Sequence, residues 1–119
     1  LLLLTLLSFS KILRDEFSDI VKETELHDDR LKITFTDGSK LEVRYPVRDK
    51  YSFNLMKAGK IYRIDTAPHH REIATYPRHI HYGKEDNIIE DNITDFSNTP
   101  EENFRKVLKW VRGLVESHI

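Results

Sequence analysis

At 119 residues, 39% apolar and 33% charged, the chain has the balance of a folded globular protein rather than a disordered one, and its length suits one domain over residues 1–119. The formal net charge of −1 with neutral histidines excludes a global basic field, so any nucleic-acid contact has to come from a local patch. The absence of cysteine excludes disulfides and thiolate chemistry and fits a reducing cytoplasm.

The chain starts LLLLTLLSFSKILRDEF. This opening has the apolar length of a signal segment, but it lacks a basic flank and a small-residue cleavage site, and it is too short to span a bilayer. It reads instead as the start of a buried helix, with a truncated signal peptide as the alternative. Leu3, Leu6, Leu7, Ser10, Leu13, Phe17 and Ile20 recur at three- and four-residue steps with charges between them, which predicts an amphipathic helix over roughly residues 2 to 22. The period then changes. Leu31, Ile33 and Phe35 alternate with polar residues, Asp37-Gly38 follows, and Leu41, Val43 and Tyr45 alternate again, which is the pattern of a hairpin. Pro46 cannot donate to a ladder and should end or kink the second strand.

A second hairpin is expected from Tyr51–Lys57 and Lys60–Thr66 around Ala58-Gly59. Pro68 and Pro77 bound a loop over 67 to 77, and Arg78–Tyr82 reads as a short strand. Residues 84 to 98 are largely polar, with an apolar pair at Ile88 and Ile89. Thr99-Pro100-Glu101-Glu102 then supplies an N-cap threonine, a first-turn proline and a capping-box glutamate. Phe104, Val107, Leu108, Val111, Leu114 and Val115 mark one face of the helix that follows. The expected fold class is α+β: an N-terminal helix, an antiparallel sheet of four to five strands and a C-terminal helix, with both helices on one face.

The chemistry concentrates in APHHREIATYPRHIHYG, where four of the chain's six histidines, His69, His70, His79 and His81, fall within thirteen residues. On a strand, His79 and His81 share one face, with Arg78, Ile80 and Tyr82 on the other. Three uses fit. As metal ligands, His79 and His81 could take a third partner from His69, His70 or Asp65, though no closed zinc spacing is present. As acid–base catalysts, the four histidines could transfer the protons of RNA cleavage by a 2′-hydroxyl, with Asp65 orienting a ring. Arg71, Arg78, Arg63 and Lys84 would then hold the phosphate, and Tyr76 or Tyr82 would offer a stacking face. As plain structure, histidines at a loop–strand junction bond backbone groups and fix the loop. The acidic stretch Glu85-Asp86, Glu90-Asp91 and Asp95 reads as a solvated loop, and Trp110 as core.

Three ordered segments, YSFNL from Tyr51, RIDTAPHH from Arg63 and TYPRHIH from Thr75, resemble the TumE family, and the upstream DGSKLEV strand fits as well. Members usually have an aromatic strand, then R-x-D-x-A-P-H-H, then P-x-H-x-H. The chain departs from that pattern at Asn54, where members often carry His or Gln, and at Thr66, where they often carry Asn. The resemblance implies a cytoplasmic toxin of a prokaryotic toxin–antitoxin pair, neutralised by a separate antitoxin. The layout is also similar to the RelE-like messenger-RNA interferases.

The leading expectation is therefore a metal-independent endoribonuclease toxin that binds RNA, with no bound cofactor and no membrane contact. His79 and His81 would be its proton-transfer pair, assisted by His69 or His70. The alternative is a metal-dependent nuclease or hydrolase holding a divalent metal such as zinc at His79, His81 and His69. A non-catalytic interaction module is the third reading. The apolar N-terminal helix is a candidate contact for the antitoxin or for a homodimer.

Overall fold

The computed structural model describes residues 2–117. In chain order its elements are α1 (Leu2–Glu16), β1 (Val21–His27), β2 (Arg30–Phe35), β3 (Lys40–Val47), β4 (Lys50–Lys57), β5 (Lys60–Asp65), β6 (His79–Gly83), β7 (Ile88–Glu90) and α2 (Pro100–Val115). The strands form one antiparallel meander in the order β1-β2-β3-β4-β5-β6-β7. The α+β class with helices on one face holds, but the sheet has seven strands rather than four or five.

The two extra strands lie at the sheet's edges. β1 occupies VKETELH, where the expected helix had been extended to residue 22. The helix stops at Glu16, and Phe17–Ile20 turns the chain, with the Ile20 and Val21 amides donating to the Phe17 carbonyl at 3.1 and 3.2 Å. Outside Val21 every residue of β1 is exposed, so no hydrophobic alternation marks it. β7 is three residues long and pairs Glu90 with His79 and Ile88 with His81.

The expected hairpins form where turn residues demand them. Gly38 has φ of +87° after Asp37. Ala58 and Gly59 sit at +50° and +77°, the left-handed pair of a two-residue turn that follows the strands' twist. Pro46 is accommodated within β3 by a register shift between Arg44 and Val47.

One sheet face carries Leu31, Ile33, Leu41, Val43, Phe53, Leu55, Ile64 and Ile80, all buried beneath the helices. The capping box of α2 is present as expected, with Thr99 accepting from the Glu102 amide and Glu102 accepting from the Thr99 amide. Its Phe104 stacks on Phe9 of α1 at 4.1 Å and 4°. Arg105 pairs with Glu16, and Arg112 with Asp19, tying α2 to the end of α1 and the turn after it. The buried stripe of α1 differs from the expected one. Leu6, Phe9, Ile12 and Leu13 face the core, whereas Leu3, Leu4 and Leu7 remain exposed. No helix among the described residues is long and apolar enough to cross a membrane.

The opposite sheet face carries no helix. Strand register places Arg63 beside His81 and Asp65 beside His79, with Asn54 and Ser52 next along the same two rows. The period of two that buries Ile64 and Ile80 under the helices turns these polar partners to the open side.

Candidate functional site

His79 and His81 stand on the open face of β6, yet they are only 1% and 5% exposed. The long loop between β5 and β6 covers them and contributes His70. The three rings lie 4.7 Å (His70–His79), 5.8 Å (His70–His81) and 4.9 Å (His79–His81) apart, with planes inclined at 70–76° to one another.

Backbone carbonyls orient both strand histidines. His79 Nδ1 is 2.9 Å from the Pro77 carbonyl and His81 Nδ1 is 2.7 Å from the Glu85 carbonyl. A carbonyl oxygen only accepts, so both Nδ1 atoms donate. The two Nε2 atoms meet at 3.1 Å. Arg63 adds the nearest positive charge. Its guanidinium pairs with Glu85, its Nε is 3.5 Å from an Asp65 oxygen, and its charge acts on His81. The Arg63 Nε and the Asn54 Oδ1 are buried without a hydrogen-bond partner among the described residues.

Burial holds the His81 pKa below its ordinary value of 6.5, and Arg63 pushes it the same way, against the Glu85 carbonyl and carboxylate. The ring therefore takes up a proton more readily in the unfolded chain than in the folded one. Above pH 6.5 the ring is neutral in both states, and stability falls as the pH drops through 6.5 toward the folded value. We expect the thermal midpoint, measured with a chelator present, to fall between neutral and mildly acidic pH. A His81→Gln variant should lose part of that fall. An equal fall in wild type and variant would assign it to other groups.

The other sequence candidates scatter. His69 is exposed and its amide bonds the Ala67 carbonyl, so His70 rather than His69 joins the strand pair. Asp65 accepts from the Ala67 amide at 2.7 Å and holds the loop's first turn, and among the described residues no hydrogen bond links it to an imidazole. Arg71 is exposed on the loop, with its guanidinium 5.9 Å from the centre of the Tyr76 ring. Lys84 is exposed, 3.9 Å from Asp86. Tyr82 lies on the helix side against Tyr62 and Trp110. Arg78 turns away from the histidines. It donates to the Asp91 and Thr94 carbonyls, pairs with the Asp91 carboxylate at 3.5 Å and covers the Phe96 ring. His27 sits on distant β1, and His118 lies outside the described residues.

Sequence reasoning missed the Pro77 and Glu85 carbonyls, which carry no side-chain signal. It also missed Asp91, read as part of a solvated loop although its side chain is fully buried.

A family model described as Toxin TumE matches residues 3–115. The chain belongs to the TumE family. None of the curated proteins and none of the solved structures gives a match. Membership makes this TumE chain the toxin of its pair, with a cognate antitoxin as partner. The matched span takes in α1 from its second residue, all seven strands and α2, so the histidine site lies inside the TumE unit.

Proposed function

We propose that this toxin is an endoribonuclease whose reaction runs at His70, His79, His81 and Arg63. The observation that carries the reading is the convergence of three imidazoles and one guanidinium on the helix-free sheet face. RNA cleavage by its own 2′-hydroxyl forms the new 2′-oxygen–phosphorus bond as the bond to the 5′-oxygen breaks. A base takes the hydroxyl proton, an acid protonates the leaving oxygen, and fixed positive charge steadies the phosphorane between them.

Arg63 is the fixed charge, flanked by Glu85 and Asp65, with its Nε a donor that has no hydrogen-bond partner among the described residues. His70 is the base: its side chain is 28% exposed, and neither ring nitrogen is bound to a backbone carbonyl. His79 and His81 meet in a single Nε2–Nε2 contact, and a proton taken up there would serve the leaving oxygen. Arg71 and Tyr76 give the loop a cation and an exposed ring for the flanking nucleotides. Arg78, bound to the Asp91 and Thr94 carbonyls, ties the residue before β6 to the segment after β7 and has no part in holding phosphate in this reading.

The same Nε2 contact favours a second reading, in which a metal ion takes the place of a proton and activates the attacking oxygen. In both readings His70 and Arg63 stay at the site.

The test is cleavage of a long single-stranded RNA by purified protein. We expect wild type to cut it and His70→Ala to cut at least about 100-fold more slowly, the usual contribution of one proton-transfer group. Wild-type protein that leaves RNA intact, or a His70→Ala variant that cuts as fast, would overturn the reading.

A further inference from the structure

We propose that His70, His79 and His81 form a site for one divalent transition-metal ion of the zinc class, bound through three imidazole nitrogens with a fourth position left for water or substrate. The argument starts from hydrogens. A neutral imidazole has one N–H and one lone pair. His79 and His81 both direct Nδ1 at a carbonyl oxygen, at 2.9 and 2.7 Å, so both lone pairs are on Nε2. Those two atoms are 3.1 Å apart. Two lone pairs held face to face repel unless a cation serves them.

A single proton serves the pair only by creating an imidazolium where the two rings are 1% and 5% exposed, with the Arg63 guanidinium on the neighbouring strand. A metal ion serves both nitrogens together. Tetrahedral zinc with Zn–N of 2.0–2.1 Å sets its ligand nitrogens about 3.3–3.4 Å apart, within a few tenths of the observed contact. The Nδ1–H···O=C bonds are the outer partners that metal-bound histidines ordinarily have, because they fix the tautomer and aim the ring.

His70 completes the set. One nitrogen from each of the three rings lies within 4.8 Å of the other two, and the mutually inclined planes fan around a common point rather than stack. His70 sits on the loop and needs to close by at most about 1.5 Å to reach a ligand distance. Three imidazoles without a thiolate or a ligating carboxylate suit zinc, copper, nickel or iron better than magnesium or calcium. Carboxylates balance the added charge: Glu85 and Asp65 flank Arg63, and Glu72 is 3.5 Å from the His70 ring. A three-histidine set with an open position is the arrangement of catalytic rather than closed structural sites.

The binding claim stands apart from the RNA reading and is tested without RNA. Tag-free protein treated with chelator is titrated with cobalt(II), followed by visible absorption and by metal content after gel filtration, and then challenged with zinc. The expected result is one cobalt per chain, the strong d–d absorption of a four-coordinate site, and displacement by zinc. His81→Gln and His70→Ala should each weaken binding by at least about 100-fold, the upper end of what loss of an outer partner alone costs. His27→Ala, on distant β1, should bind as wild type does. His70 is on a loop outside the core, so its variant keeps the test valid if His81→Gln fails to fold. Cobalt well below one per chain, a weak six-coordinate spectrum, or wild-type binding by His70→Ala would overturn the site. Metal-loaded protein that leaves RNA intact would overturn the nuclease reading alone.

Discussion

Replacing Phe104 by alanine is expected to cost about 3–5 kcal/mol of folding stability, the range for removing a fully buried aromatic ring. Phe104 is 0% exposed. Its ring lies flat on Phe9 of α1 at 4.1 Å and tilts against Phe53 of β4 at 6.4 Å. It is thus the point where both helices and the sheet's centre meet. Truncation would leave a cavity that neither rigid helix nor paired strand can collapse to fill. Leu4→Ala is the matched control: Leu4 is 68% exposed, so its loss should stay within about 0.5 kcal/mol. Both are read as shifts in a urea unfolding midpoint. A Phe104→Ala loss no larger than that of Leu4→Ala would mean that the helix layer is not packed as described.

Such differences between neighbouring apolar residues explain which parts of the fold were legible. α2 could be read end to end because its signals are local: Thr99, Pro100 and Glu102 announce its start, and one apolar stripe follows at a helical period. The Asp37-Gly38 and Ala58-Gly59 turns are equally local. α1 lacks that clarity. With leucine at six of the chain's first seven positions and only Thr5 between them, polar residues do too little to fix the phase, and the sheet chooses the face that carries Phe9 and Ile12. β1 could not be read from alternation, because an edge strand exposed on both faces needs none.

The site divides in the same way. That His79 and His81 share a face follows from a period of two, and pairing with Arg63 and Asp65 follows once β5 is in register. The choice between His69 and His70 depends on how an irregular loop turns, which two adjacent histidines leave open. Arg78 illustrates the opposite limit. Next to His79 in sequence it looks like a phosphate ligand, but strand alternation sends it through to Asp91, 13 residues away.

Asp91→Ala is expected to cost about 3 kcal/mol, the lower end for breaking a buried ion pair from one side, because water reaches part of Arg78. The Asp91 side chain is completely buried and Arg78 is 14% exposed. The carboxylate accepts from the Ile93 amide at 2.8 Å, the Thr94 amide at 2.9 Å and the Thr94 hydroxyl. Because a carboxylate only accepts, Thr94 spends its proton there and takes one from Tyr51, whose pKa burial raises far above the ordinary phenol value. The Asp91 backbone meanwhile donates to Thr75, whose hydroxyl donates to the Arg78 carbonyl. Asp91 therefore fastens β7, the end of the loop and the residue before His79 to one another.

Asp91→Asn separates charge from acceptance. Its amide oxygen can still take both backbone N–H groups, so the asparagine variant should lose less than the alanine variant by urea denaturation. The same pair of variants tests how the histidines are held. If Asp91 fixes the start of β6, the Pro77 carbonyl that aims His79 moves in the alanine variant. Amide hydrogen exchange at residues 75, 78 and 79 should then quicken more than exchange at the Phe53–Leu55 centre of β4. Uniform quickening across both regions would show that Asp91 stabilises the fold as a whole and holds the histidine site no more tightly than the rest.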